Sequence, residues 1–125
     1  MSHFTRIKTK IVEKRFLTQA LQDLGYAYEE GELKVRGYGG NRTSVEIKIP
    51  AGKYDIGFRN QGDAYEIVAD WRGIRGIDQR QFIERLMRRY SYHAARAKLA
   101  ERGFTLINEE VEQDGRAHLT LRRVV

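Results

Sequence analysis

Cysteine is absent from this chain of 125 residues, and proline occurs once, at Pro50. The lack of cysteine excludes disulfides, cysteine-ligated zinc or iron–sulfur sites and a cysteine nucleophile. Because no linker or low-complexity segment interrupts the sequence, we expect residues 1–125 to form a single domain. The sequence also contains no apolar run of the roughly 20 residues that a membrane span needs, and its first residues are not typical of a signal peptide. We therefore expect a cytoplasmic protein with no membrane contact.

Recognisable catalytic motifs are missing as well. The histidines His3, His93 and His118 fall in three different predicted elements and lack the spacing of metal ligands. No serine lies in a Gly-x-Ser-x-Gly motif. These patterns favour a chain without catalytic residues, without a metal and without a cofactor.

Positive charge is concentrated in one part of the chain. The formal net charge is +6, and 16 of the 23 basic residues are arginine. Residues 72–102 contain nine basic and three acidic residues, so this segment accounts for the whole surplus. Arginine suits planar, bidentate and stacking contacts better than lysine does. The charge therefore indicates one basic element on an otherwise neutral protein.

Alternating and helical patterns predict an α+β fold. Alternation predicts strands around Thr5–Val12, within 26–36, along Val45–Ile49, Tyr54–Phe58 and Tyr65–Trp71, and in a final hairpin from Phe104 to Leu121 that turns at Asp114-Gly115. Helical spacing predicts helices over 13–24, ended by Gly25, and over 78–101, capped by Asp78 and ended by Gly103. We expect an antiparallel sheet of about six to seven strands packed on two helices. The expected order is strand, helix, three or four strands, helix, two strands.

A faint internal similarity suggests a repeat. Residues 20–26 resemble residues 98–104, and in each case a strand precedes the helix and a Gly-aromatic pair leads into further strands. This pattern favours pseudo-twofold halves over 4–59 and 63–124, like the saddle of the TATA-binding protein. The alternative is that both helices simply end in the same common way.

The second helix has one basic, aromatic side. At about 100° per residue, four residues fall within roughly 60° of Arg85, on the side opposite the apolar stripe. We call this side the arginine–tyrosine face, and it consists of Arg85, Arg88, Arg89, Tyr92 and Arg96. It fits an acidic protein surface, or RNA or DNA, whose phosphates arginine neutralises and whose bases tyrosine stacks. The alternative is a solvated face paired with nearby carboxylates.

Two further sets of residues are candidates for contacts. In the glycine-rich loop 36–42, Arg36, Tyr38 and Arg42 could contact a ligand, although the loop matches no phosphate-binding motif. Asp55 and Asp70 share one face of neighbouring predicted strands, and a cleft between sheet and helix near His93 would suit a small enzyme or a ligand-binding protein. The alternative is a solvated sheet face on which these carboxylates, together with Glu66 and Glu46, pair across strands with Lys48, Lys53 or Arg59.

Several segments together resemble a known family over nearly the whole chain. They are residues 1–10, 20–26, 35–40, 54–58, 65–70 and 89–93, and they occur in the family's order. The chain resembles the hypothetical chloroplast reading frame thirty-five family of cyanobacteria and algal plastids. The resemblance implies a cytosolic or plastid-stromal setting and a role in an assembly, with an AAA-type ATPase or a ferredoxin-like protein as possible partners. It implies no reaction.

The sequence favours a non-catalytic binding or adaptor protein that uses the arginine–tyrosine face and the glycine-rich loop. The motive is one concentrated basic element without a catalytic constellation beside it. RNA or DNA binding by the same surface is the alternative hypothesis. A small-ligand-binding protein or enzyme with a sheet–helix cleft is the third.

Overall fold

The computed structural model describes residues 3–123 and confirms the α+β class. Within these residues the secondary structure runs β1 (Thr5–Lys8), α1 (Lys14–Asp23), β2 (Glu29–Arg36), β3 (Arg42–Ala51), β4 (Tyr54–Asn60), β5 (Tyr65–Ala69), α2 (Gln79–Glu101), β6 (Phe104–Val111) and β7 (Ala117–Arg123). Short 3-10 turns occupy Tyr38–Gly40 and Trp71–Gly73. Asp78 caps α2 as expected, because its carboxylate accepts a hydrogen bond from the Gln81 N–H at 3.0 Å.

The seven strands divide between two sheets. Five form one antiparallel sheet in the order β1-β5-β4-β3-β2, and β6 pairs only with β7 within the part of the chain described. The length of α2 explains the separation. Its 23 residues span about 35 Å, roughly twice the length of β5, so the chain has passed the end of the sheet before β6 begins. The pseudo-twofold repeat stays a prediction, with one of its two halves ending in this separate hairpin.

The main core lies between the helices and one face of the five-stranded sheet. The sheet contributes Ile47, Ile49, Ile56, Phe58 and Ile67, α1 contributes Leu17 and Leu21, and α2 contributes Phe82 and Leu86, all buried. The buried residues of α2 stop at Tyr90, and beyond it Ala94 and Ala97 pack only partly buried against this core. Within residues 3–123, no helix is both long and apolar enough to cross a bilayer.

A tyrosine of α2 caps the start of α1. The first N–H groups of a helix have no partner within the helix, and the side chain of Glu13 at the N-cap makes no capping bond. The buried hydroxyl of Tyr90 accepts hydrogen bonds from the N–H groups of Val12 at 2.9 Å and Glu13 at 3.0 Å. The two helices are therefore joined by backbone hydrogen bonding as well as by apolar packing.

The hairpin of β2 and β3 curls over the back of the sheet. Val45 and Ile47 are two positions apart in β3, a spacing that normally places side chains on the same face of a sheet. They belong to different apolar clusters, because the pairing of β3 with β4 ends at Ile47. A Cβ atom at Gly57 would lie 2.5 Å from Val45 and 2.6 Å from Val35. Only glycine allows this approach, so Gly57 provides the space in which the hairpin rests on β4.

Two buried carboxylates hold the tip of this hairpin. Asp55 accepts hydrogen bonds from the backbone N–H of Arg36 at 2.9 Å and from its guanidinium at 2.9 and 2.7 Å. Asp70 accepts one from the N–H of Tyr38 at 3.0 Å. Both carboxylates are at most 1% exposed. The expected solvated face was wrong for Asp55 and Asp70, because the curled hairpin covers them. The expected cross-strand pairing is seen at Glu66, which lies 2.5 Å from the Arg59 guanidinium.

Candidate binding surface

The arginine–tyrosine face lies beside the separate hairpin of β6 and β7. The hydroxyl of Tyr92 donates a hydrogen bond to Glu109 in β6 at 2.8 Å, and the guanidinium of Arg88 donates to the carbonyl oxygen of Asp114 in the hairpin turn. Because both contacts join α2 to the hairpin, part of the face is engaged within the molecule. The turn also contains its own bonds, from the Arg116 guanidinium to Asp114 at 2.7 Å and to Glu112 at 3.1 Å.

Arg89 belongs to a polar cluster at the junction of the helices. Its guanidinium lies 2.9 Å from the Asp23 carboxylate at the end of α1, and His93 lies 2.6 Å from the same oxygen. Burial by itself would raise the pKa of Asp23, but the hydrogen bonds from His93 and Arg89 outweigh it and hold this pKa below its usual range. Arg89 is therefore paired within the molecule. The solvated-face alternative predicted such pairing with nearby carboxylates for the whole arginine–tyrosine face.

Tyr92 is covered on its ring as well as bonded at its hydroxyl. The Arg89 guanidinium carbon lies 4.2 Å from the ring centroid, a cation–π contact. Burial and the hydrogen bond to Glu109 raise the pKa of the Tyr92 hydroxyl, so it stays protonated and donates at neutral pH. The ring is thus held in place rather than free to stack on an incoming base.

Arg85, Arg88 and Arg96 form no ion pair with a carboxylate in the described part of the chain. Arg96 is exposed and donates to the Tyr92 hydroxyl at 3.1 Å, and Arg88 bonds a carbonyl oxygen. For exposed Arg85, the same residues supply no side-chain hydrogen bond either. The charge of Arg88 acts on the nearby Asp114 carboxylate, whereas Arg85 and Arg96 present their positive charge to solvent on this side of α2.

A groove of about 780 Å³ runs between α2 and β7. Its walls combine apolar side chains with arginines at the rim, and they are formed by Met87, Arg88, Arg89, Tyr92 and Ala95 of α2 and by Arg116, Ala117, His118 and Leu119, among others. Sequence reasoning missed this groove, because it placed the final hairpin in the main sheet. In the structure, β7 alternates between half-exposed and exposed residues, whereas β4 is buried along most of its length.

The glycine-rich loop lies on the other side of the molecule. It joins the curled hairpin on the back of the sheet, whereas α2 packs on the front. Arg36 is engaged by Asp55, while Tyr38 is 54% exposed and Arg42 is also exposed. The structure therefore does not bring the loop and the arginine–tyrosine face together into one surface.

The third hypothesis placed Asp55, Asp70 and His93 around one cleft. His93 bonds Asp23 on the helix side of the molecule, and both carboxylates bond the hairpin tip behind the sheet. The apolar core separates these two regions. Because the three groups cannot act on one substrate in this arrangement, an acid–base site built from them has no support in the geometry.

The fold and the surface define an α+β protein with a helix-backed five-stranded sheet and a basic groove beside a separate hairpin. The chain belongs to the family described as "Protein of unknown function (DUF1257)", whose profile matches residues 20–120. It is similar to proteins called "Uncharacterized protein ycf35". The one from Guillardia theta is 35% identical, with 98% of each chain covered, and that from Cyanophora paradoxa is 28% identical, also with 98% of each covered. The resemblance deduced from the sequence is confirmed. No solved structure matches the chain.

Proposed function

We propose that this chain is a non-catalytic binding or adaptor protein and that it recognises an acidic protein surface through the arginine–tyrosine face. The observation that carries the proposal is the groove of about 780 Å³ with apolar walls and an arginine rim. Arginine and tyrosine beside an apolar patch are typical of residues that contribute most to protein–protein binding. The three cations without a carboxylate partner supply the charge that an acidic partner would complement.

A protein partner fits this surface better than RNA or DNA does. Binding to a single-stranded nucleic acid needs an aromatic ring on which bases can stack. The Tyr92 ring already carries the Arg89 guanidinium, and its hydroxyl is bonded to Glu109.

The experiment is affinity purification of the tagged chain from its native host, with and without nuclease. We expect the partner to survive nuclease treatment and to be lost when Arg85, Arg88 and Arg96 are all replaced by glutamate. A triple variant at Lys8, Lys10 and Lys34, which are exposed and lie away from the groove, removes the same charge and should retain the partner. Circular dichroism should show that both variants fold.

Two results would contradict the proposal. Equal recovery by the two triple variants would remove the arginine–tyrosine face from binding. Loss of the partner on nuclease treatment would favour RNA or DNA, whose affinity should then fall steeply with salt because phosphate contacts release counterions.

The glycine-rich loop is a separate part of the proposal. Exposed Tyr38 and Arg42 form a contact point on the back of the sheet, and Arg36 supports the loop through Asp55. An adaptor needs two separate surfaces, and these lie on opposite sides of the molecule. The family resemblance adds an AAA-type ATPase or a ferredoxin-like protein as partners to test first, in the cytoplasm or the plastid stroma.

A further inference from the structure

The strand β7 has an unpaired edge that borders the groove. Within residues 3–123 this strand pairs only with β6. The groove is lined by the consecutive residues 115–119 and by no residue of β6, so the free edge of β7 forms that wall. An unpaired edge presents backbone N–H and C=O groups that can pair with another extended chain.

The two faces of β7 differ in chemistry. Ala117, Leu119 and Leu121 are half-buried on one face, whereas His118, Thr120 and Arg122 are exposed on the other. Leu119 lies opposite Glu109 in the hairpin register, and the bond from Tyr92 to Glu109 turns this apolar face toward α2. None of the hairpin's described residues is buried, so its apolar face can still pack against a binding partner.

We infer that β7 accepts an extended segment of the partner as an added strand, and that this segment alternates apolar and acidic side chains. This inference rests on the proposed function and names the chemistry of its partner. Side chains of an added strand point alternately to the two faces of the sheet. The apolar ones would lie with Leu119 and Leu121 and face Met87 and Ala95 across the groove.

Positive charge on β7 favours acidic side chains at the positions of the added segment that point to the outer face of the sheet. On the outer face of β7 they would lie beside Arg122, which makes no ion pair in the described part of the chain. Arg88 lies on the helix wall, which the apolar face of β7 meets, so it adds positive charge to the groove without contacting these positions. A segment as long as β7, seven residues, would span about 23 Å of this edge.

The test uses the full-length chain and a fluorescent seven-residue peptide that alternates valine and glutamate, with binding followed by anisotropy. We expect binding, and we expect hydrogen exchange to slow at alternate amides of β7. The same peptide with N-methyl groups at its pairing amides should bind at least about tenfold more weakly, because main-chain hydrogen bonds supply affinity in strand addition. Equal binding of the two peptides, or unchanged exchange in β7, would overturn the inference.

Charge-swap variants sharpen the assignment. Arg122→Glu should weaken the glutamate peptide and strengthen a valine–lysine peptide, each by roughly threefold to tenfold. Lys34→Glu is the matched control and should change neither affinity. A concentration-dependent dimer in sedimentation that slows β7 exchange without any peptide would overturn the inference, because the edge would then be occupied by a second copy.

The outcomes separate this inference from the proposed function. If the arginine variants lose the native partner but neither that partner nor the peptide slows β7 exchange, strand addition is wrong and the arginine–tyrosine face still binds. If the peptide slows β7 exchange while the arginine variants keep the native partner, the proposed surface is wrong and the edge remains an acceptor of strands.

Discussion

At the scale of the residue, Asp55 is one of the two buried carboxylates that hold the hairpin tip on the sheet. Burial by itself would raise its pKa, but the hydrogen bonds and the charge of Arg36 outweigh burial and hold the pKa below its usual range. Removing water from a carboxylate is costly unless it is paired and hydrogen-bonded. Asp55 therefore stabilises the fold only in its ionised form and only with Arg36 in place.

We expect Asp55→Asn to lower the free energy of unfolding by about 1 to 3 kcal/mol at neutral pH. Because the folded pKa is depressed, the stabilisation from this carboxylate is present above the unfolded pKa near 3.8 and is lost as the pH falls through the lower folded pKa. Urea denaturation at a series of pH values measures this effect. The stability of the variant should fall less steeply below pH 4 than that of the original chain.

The control for this measurement is Asp63→Asn, at an exposed residue of the turn before β5. It should change stability by no more than about 0.5 kcal/mol and leave the pH dependence intact. If Asp55→Asn and Asp63→Asn gave the same pH profile, the buried pair with Arg36 would not be a source of acid sensitivity.

At the scale of the element, α2 has different roles on its two sides. One side supplies the core through Phe82 and Leu86, and Tyr90 caps α1. The other side lines the groove between Glu84 and Ala95, and its Arg88 and Tyr92 bond the hairpin. One amphipathic helix therefore packs the core and presents the basic face at the same time, so that face is accessible on a firmly anchored helix.

We expect Tyr90→Phe to destabilise the protein by about 1 to 3 kcal/mol, because two N–H groups at the start of α1 lose their acceptor. Tyr92→Phe is the matched control. It removes two exposed hydrogen bonds, to Glu109 and from Arg96, and should cost no more than about 0.5 kcal/mol. Thermal unfolding of the two variants compares them directly, and equal costs would show that the cap contributes little.

At the scale of the whole molecule, stability is distributed unevenly. The strands β4 and β5 are buried for most of their length, whereas no described residue of β6 or β7 is buried. Local opening is easiest where few apolar contacts are lost. The hairpin is thus joined to α2 by a few polar contacts and is the part best able to rearrange around a partner.

Native-state hydrogen exchange tests this division. Amides of β6 and β7 should exchange with opening free energies well below those of β4 and β5, which should approach the free energy of global unfolding. The peptide described above should raise the protection of β7 and leave β4 unchanged. Similar protection in all four strands would mean that the hairpin unfolds together with the core.

Much of the local structure could be read from the order of residues. Alternation and helical spacing placed seven strands and two helices, and Asp78 and Gly103 bounded α2, because such patterns depend on neighbours within one turn or one strand. The charge surplus was assigned to α2 in the same way. The curled hairpin was not foreseen, because nothing near Val45 along the chain records its contact with Gly57.

Which of the predicted surface residues are free depended on contacts between distant parts of the chain. Arg36 and Asp55 are 19 positions apart, Arg89 and Asp23 are 66 apart, and Tyr90 and Val12 are 78 apart. Composition and periodicity predicted an α+β protein with a net charge of +6 and one basic helix face. The packing of the helices, the curl of β3 and the separate hairpin turned that face into a groove with an open strand edge, since these arrangements arise only when remote segments meet.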